Sequence, residues 1–207
     1  MRILLATDAW APQVNGVVMT LRNTIRGVEA AGHLVQVIGP DRFRSIPCPT
    51  YPEIRLALGP YPRFSELARR FAPDVVHIAT EGPLGRSALQ AARALGLPVC
   101  SDFRTNFHAY SAHYGFGVLR RPIIGYLRRF HNATRSTMVP TEALRKELAA
   151  EGFDNVTVVS RGVDLRRFDP ARRSDPLRAQ WGAMPDDLVV AYVGRLRSEE
   201  RRVGKEC

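Results

Sequence analysis

Residues 1–21, MRILLATDAWAPQVNGVVMTL, decide how the rest of the chain is read. Residues 2–7 form a short apolar run with no charge after Arg2. Such a run is too brief for a buried helix and suits a strand covered on both faces. From Asp8 to Gly16 the pattern breaks at Pro12, Asn15 and Gly16, residues of turns and loops. From Val17 the apolar spacing turns helical, with Val17, Leu21, Ile25 and Val28 each about a turn apart. Strand, polar loop and helix in that order are the first half of a βαβ unit.

Working outward, the same grammar returns. Ala31-Gly32 closes the first helix at a glycine, and residues 34–39 read as the second strand. Residues 39–60 are rich in Pro and Gly and read as an irregular connection with a short strand near residues 54–58. Phe64, Leu67, Ala68 and Phe71 mark a helix that ends before Pro73, and residues 75–78 are the next buried strand. Helices over 84–95 and 142–151 are followed by Gly96 and Gly152, then by strands at 99–101 and 156–159. Residues 136–140 read as a further strand, with Thr141 as the N-cap of the next helix. Helix, glycine, short apolar strand, repeated, predicts a doubly wound α/β domain with a parallel sheet.

In such sheets ligands bind beyond the carboxyl ends of the strands, where helix N-termini present unpaired backbone N–H groups. Gly16 stands at a helix start, where a missing Cβ lets a phosphate or sugar approach the main chain. Gln13 and Asn15 add hydrogen-bonding side chains to that loop. The loop has neither G-x-G-x-x-G nor G-x-x-x-x-G-K-[ST], so the dinucleotide and P-loop readings lack their motifs. The same residues also describe an ordinary strand–helix connection that contains a glycine.

Residues 8–18, DAWAPQVNGVV, resemble the N-terminal signature of family 4 retaining glycosyltransferases, which have the GT-B fold. The resemblance is greatest to the branch of GDP-mannose-dependent α-mannosyltransferases and related glycolipid glycosyltransferases. Segments 74–85 (DVVHIATEGPLG), 99–114 (VCSDFRTNFHAYSAHY), 160–168 (SRGVDLRRF) and 188–196 agree with it. It implies a Rossmann-like, doubly wound α/β domain, the N-terminal half of a GT-B fold. Residues 1–168 would be the acceptor-binding domain, 169–187 an inter-domain linker, and 188–196 the first strand of a donor-binding domain.

The resemblance further implies transfer of a hexose, mannose first, from a nucleotide diphosphate sugar such as GDP-mannose to a lipid or glycan hydroxyl, with retention. It implies no cofactor beyond that substrate, and no metal. Gly16, Val17, Gly194 and Arg195 would face the donor phosphates, and Arg104 and His108 the reacting centre. Asp8, Gln13, Asn15, Glu81 and Asn106 would serve the acceptor, and Arg161, Gly162 and Asp164 form the inter-domain loop. Two positions depart from the family: Arg104 stands where a histidine is common, and Arg161 where an asparagine is. Arginine cannot act as a base but can hold an oxyanion bidentately. His77, inside a strand, reads as a core histidine with its partners satisfied.

Residues 116–135 interleave Val118, Leu119, Ile123, Ile124, Tyr126, Leu127 and Phe130 with Arg120, Arg121, Arg128 and Arg129. A basic amphipathic segment suits an anionic membrane surface. It equally suits one buried and one solvated face, with Pro122 and Gly125 interrupting the helical pattern.

Composition bounds these readings. At 207 residues and 45% hydrophobic content the chain can bury a substantial core. No run approaches the roughly 18 apolar residues of a membrane span, and no secretory leader precedes Asp8. Cys48, Cys100 and Cys207 are few and far apart, as in a reducing cytosol. The expected location is therefore cytoplasmic, peripheral at the inner face of the plasma membrane if residues 116–135 dock there. A net charge of +10 points to an anionic partner. No zinc spacing or RNP-like motif supports nucleic acid.

Two other readings compete. One is a UDP-sugar-dependent glycolipid glucosyl- or sulfoquinovosyl-type transferase. The other, resting on charge alone, is a non-enzymatic domain that binds anionic ligands. An epimerase or dehydrogenase is opposed by the missing glycine fingerprint and Tyr-x-x-x-Lys pair.

Residues 197–207, RSEERRVGKEC, fit nothing before them. They match, residue for residue, one reading frame of a common sequencing-library adapter. The expectation is a translated adapter and a native gene that continues past Leu196, which would leave this length of chain inactive alone. Without the tail the net charge is still about +9.

Overall fold

In the computed structural model, which describes residues 1–13, 15–48, 54–104, 120–160 and 162–191, the opening apolar run is strand β1 (Arg2–Ala6). Its alternate side chains enter different cores: Leu4 and Ala6 pack in one cluster and Leu5 in another, so both faces are covered. Helix α1 (Gly16–Ala30) returns the chain to β2 (Leu34–Ile38), parallel to β1. The irregular connection contains an antiparallel pair, β3 (Ser45–Pro47) and β4 (Arg55–Ala57). Only the second of these was legible; β3 is three residues ending in proline, which carry no strand pattern.

Next come α2 (Tyr61–Phe71), β5 (Val75–Ile78), α3 (Pro83–Ala94) and β6 (Val99–Asp102). They are followed by α4 (Arg120–His131), β7 (Ser136–Val139), α5 (Glu142–Ala150) and β8 (Val156–Val158). The six-stranded sheet is parallel throughout, in the order β2-β1-β5-β6-β7-β8. The expected doubly wound α/β architecture is present.

Helix ends follow local chemistry. Helices α1 and α5 stop where Gly32 (φ 83°) and Gly152 (φ 86°) take the left-handed conformation that a Cβ disfavours. Helix α2 ends instead on Ala72 at φ 47°, with Pro73 forbidding another turn. Thr141 caps α5 through a hydrogen bond from the Leu144 N–H (3.2 Å). Phe64 of α2 and Leu84 of α3 are fully buried against β1 and β5. Each contributes roughly 1.5–3 kcal/mol of transfer free energy.

The chain forms two compact units, Met1–Arg161 and Gly162–Cys207. In the second, the stretch read as a polar linker holds a 3-10 turn (Pro170–Arg172) and a short helix α6 (Asp175–Gln180). Ser174 caps α6 by accepting the Leu177 N–H at 3.3 Å. Of the apolar run 188–193, Leu188 and Val190 are 91% and 84% exposed, and residues 192 and 193 lie outside the described residues.

Candidate active site at the carboxyl edge of the sheet

The strand order reverses between β1 and β5, because β1 is joined to β2 on one side and to β5 on the other. Loops 7–15 and 79–82 flank that switch point, the place where open α/β sheets bind ligands.

Asp8 follows β1. Its carboxylate accepts the Leu84 N–H (3.1 Å) and the Thr80 hydroxyl (2.9 Å), and its own N–H donates to Thr80 Oγ1 (2.7 Å). Gly82, at the N-cap of α3, offers no capping side chain, so Asp8 caps that helix from the neighbouring loop. A Cβ on Gly82 would stand 2.5 Å from Asp8 Oδ2. Burial pushes the Asp8 carboxyl up, against the pull of the Leu84 and Gly85 N–H groups and the Thr80 hydroxyl. Gln13 Nε2 donates to the Asp8 carbonyl (3.3 Å), and Gln13 Oε1 accepts from Asn15 Nδ2 (3.2 Å). Asn15 Oδ1 accepts the Val18 N–H (3.0 Å), capping α1. The three polar side chains brace the loop against itself. Gly16, in contrast, is exposed, and a Cβ there would meet nothing within 4 Å. Its neighbour Val17 is half-buried and packs towards Leu5 and Leu21.

Glu81 turns inward. Its carboxylate accepts His131 Nε2–H (3.1 Å), and its carbonyl accepts the Tyr126 hydroxyl. His131 Nδ1 bonds Ser101 Oγ (2.8 Å), which also meets the hydroxyls of Thr134 and Thr137. Asn155 closes the ring, donating to the carbonyls of His131 and Thr134 and accepting from Thr137. Serine, histidine and glutamate in series have the order of a nucleophilic relay. Ser101 and His131 are 0% exposed, however, so no substrate reaches the hydroxyl and the series is a structural brace.

Arg104 follows β6. Its Nε and Nη2 both donate to Asp102 Oδ2, and His77 Nε2 reaches the same oxygen at 3.0 Å. His77 Nδ1 meets Cys100 Sγ at 3.2 Å, so both ring nitrogens are partnered, as a core histidine requires. Burial would lower His77, but the hydrogen bonds to Asp102 and Cys100 and the Asp102 charge overcome it and push His77 up to about 10. Burial likewise works against the Asp102 charge, and His77 and Arg104 together still hold its carboxyl below the usual range.

Asp102 and His131 escaped the sequence reading, and Tyr126 entered it only as an apolar member of the 116–135 segment. His131 carried a signal: it continues the spacing of Ile124 and Leu127, which puts it on the buried stripe of α4. Asn106, His108, Arg161, Gly194 and Arg195 lie outside the described residues. Gly162 and Asp164 belong to the second unit, where Asp164 Oδ1 accepts the N–H groups of Arg166 (3.1 Å) and Arg167 (3.2 Å). Helix α4 buries Ile124, Leu127 and Phe130 and exposes Arg121, Arg128 and Arg129. Pro122 sits in its first turn, where a missing N–H costs no helical bond. Among the described residues no helix is long and apolar enough to cross a membrane. Among them, too, no group of three or more His, Cys, Asp or Glu side chains is placed to hold a metal ion.

A Rossmann-like sheet with its polar loops gathered at one switch point defines a class that binds nucleotides and sugars beyond its strand ends. Within that class the chain belongs to glycosyltransferase family 4: residues 14–167 match Glycosyltransferase Family 4. It is 34% identical to a GDP-mannose-dependent alpha-mannosyltransferase of Mycolicibacterium smegmatis, over 97% of this chain and 58% of that protein. To a sulfoquinovosyl transferase of Arabidopsis thaliana it is 32% identical, over 86% of this chain and 35% of that one. Sucrose-phosphate synthase of Thermosynechococcus elongatus shares the fold, with a TM-score of 0.61 at 15% identity over 94% of this chain and 55% of that one. The chain spans about half the length of the curated bacterial mannosyltransferases it matches.

Proposed function

We propose that the described sheet is the acceptor-side half of a retaining hexosyltransferase. The whole protein would move a hexose from a nucleotide diphosphate sugar, GDP-mannose first, to a hydroxyl of a lipid or glycan. One observation carries the reading. In a family 4 chain, a braced loop ends at Gly16, an exposed glycine on the N-terminus of the 15-residue helix α1, with space where a Cβ would stand. Backbone N–H groups and the helix dipole at such a point favour an anionic group. Val17 would lend its N–H to the same contact, and Arg104 would meet the charge that develops as the diphosphate leaves. Electrostatic stabilisation of that leaving group is the protein's main contribution, with no cofactor or metal assigned. His108, Asn106, Gly194 and Arg195 complete the proposed site, with Arg161, Gly162 and Asp164 at the inter-domain loop.

The acceptor we favour is a lipid. Helix α4 turns Arg121, Arg128 and Arg129 outward, and each basic residue near an anionic bilayer is worth about 1 kcal/mol. The proposed location is the cytoplasmic face of the plasma membrane, held there peripherally. Nucleic acid is not among the proposed partners.

The test is turnover by the full-length gene product with GDP-mannose, UDP-glucose and UDP-sulfoquinovose, each with bacterial membrane lipids as acceptor. The expected product is a lipid-linked α-mannoside. Transfer from a UDP-sugar alone would move the donor assignment. Failure to consume any donor would overturn the reading.

A further inference from the structure

The Arg104 cluster is built more closely than an ion pair needs. Asp102 Oδ2 takes three donors, the Nε and Nη2 of Arg104 and Nε2 of His77, while His77 is anchored at its other nitrogen by Cys100. Three adjacent pieces of chain supply these groups: His77 from β5, Cys100 and Asp102 from β6, and Arg104 just beyond. Side-chain exposure is 8% for Asp102, 11% for Arg104 and 15% for His77, so the cluster is largely buried and reaches solvent over a narrow edge. Among the described residues nothing is seen to bond Nη1 of Arg104, and a guanidinium held side-on through Nε and Nη2 can donate from that end.

We infer that Asp102, backed by His77, is a positioning residue that fixes the Arg104 guanidinium so that its outer edge meets an oxyanion of a bound phosphate or diphosphate. The inference rests on the proposed role of Arg104 at the transferase site. The cluster's charges favour this ligand. Two cations, Arg104 and a protonated His77, share one carboxylate, which leaves net positive charge at the carboxyl end of β6. A fixed fork also loses less side-chain freedom on binding than an untethered arginine does.

One substitution separates positioning from simple charge. Asp102→Asn removes a negative charge and, with it, much of what keeps the buried His77 protonated, so electrostatics alone predicts no weakening of anion binding. Positioning requires weakening, because the amide no longer holds the guanidinium. Asp102→Glu keeps the charge and displaces the carboxylate by one methylene, so charge alone predicts no change and positioning predicts weakening. The experiment is calorimetric titration of the 207-residue chain and its variants with inorganic pyrophosphate and, separately, with glycerol 3-phosphate at low salt.

Arg104→Ala is expected to weaken binding at least tenfold. Asp102→Asn and Asp102→Glu should each weaken it at least fivefold, with faster hydrogen exchange at Arg104 Nε. Tighter binding of pyrophosphate would mark the donor as the source of the oxyanion, and tighter binding of glycerol 3-phosphate an acceptor headgroup. Either preference supports the inference. Equal or tighter binding by both Asp102 variants, with Arg104→Ala still impaired, overturns positioning and leaves the Arg104 contact standing. A wild type that binds neither anion, or an Arg104→Ala variant that binds like wild type, overturns both.

Discussion

Two imidazole–carboxylate pairs lie within neighbouring strands and loops of this sheet, and they sit in opposite surroundings. His77 meets Asp102 at 3.0 Å, and His131 meets Glu81 at 3.1 Å. The first pair runs on into a guanidinium and remains partly exposed at the carboxyl edge. The second is enclosed by the hydroxyls of Ser101, Thr134 and Thr137 and the amide of Asn155, with no surface on His131. The bond length is nearly the same in both. What differs is the next partner and the access, and these decide whether a polar pair can address a ligand or only hold the fold.

The largest test of that division is His131→Leu. It takes the imidazole from the buried Glu81 carboxylate and one of three partners from the Ser101 hydroxyl, so it should cost about 3–5 kcal/mol in denaturant unfolding. A loss below about 1 kcal/mol would mean the enclosed pair is not the brace described.

Glycine substitutions extend the comparison to the loops. Gly82→Ala drives a Cβ into the Asp8 carboxylate and disrupts the α3 cap, and should cost about 1–3 kcal/mol. Gly16→Ala meets no atom within 4 Å, so it should leave the melting midpoint within a few degrees or raise it slightly. In the full-length protein it should nonetheless weaken donor binding, measured as KM for the nucleotide sugar. Equal effects of the two alanines on stability would erase the distinction between a packed and an open glycine.

The His77 pair makes stability depend on pH. The folded value is raised to about 10, from roughly 6.5 in the unfolded chain, so its contribution is complete below 6.5 and fades as pH rises towards 10. Asp102 has a lowered value, so its share fades only as pH falls through that depressed range. The stability margin of wild type over His77→Gln should therefore be greatest near pH 5–6 and shrink steadily through pH 8–10. Urea titrations across that range measure it; a margin that grows with pH would reverse the assignment of charge.

The smallest effect belongs to Asn15→Ala. Losing the α1 cap should cost about 1 kcal/mol. A cost of several kcal/mol would show that the Asp8–Gln13–Asn15 brace acts as one unit, as the enclosed His131 ring does.

Much of the sheet was legible because its strands are short apolar runs and three of its helices end in left-handed glycines, Gly32, Gly96 and Gly152, signals that lie within a few consecutive residues. Gly16 was legible for the same reason. The partners of Glu81 and Arg104 were not. His77 and Asp102 are 25 residues apart and become neighbours only through the register of β5 on β6, which places His77 beside Cys100. The use of Asp8 as the cap of α3 was not legible either, because the sequence does not show that Gly82, 74 residues on, leaves that helix without a cap of its own. Helix α6 was hidden by the prolines around it, although Ser174 preceding Asp175-Pro176 is a capping signal in retrospect.

The central claim is that the edge cluster serves the ligand and the enclosed ring serves the fold. It is tested most directly in the full-length protein, by measuring kcat/KM and melting midpoint together for Asp102→Asn and His131→Gln. At least a tenfold fall in kcat/KM per folded molecule is predicted for Asp102→Asn, together with a lowered midpoint, because the buried His77 and Arg104 cations lose their carboxylate. For His131→Gln the account predicts a clearly lowered midpoint, with kcat/KM per folded molecule within threefold of wild type. The reverse pattern, with activity lost through His131 and only stability lost through Asp102, would contradict it.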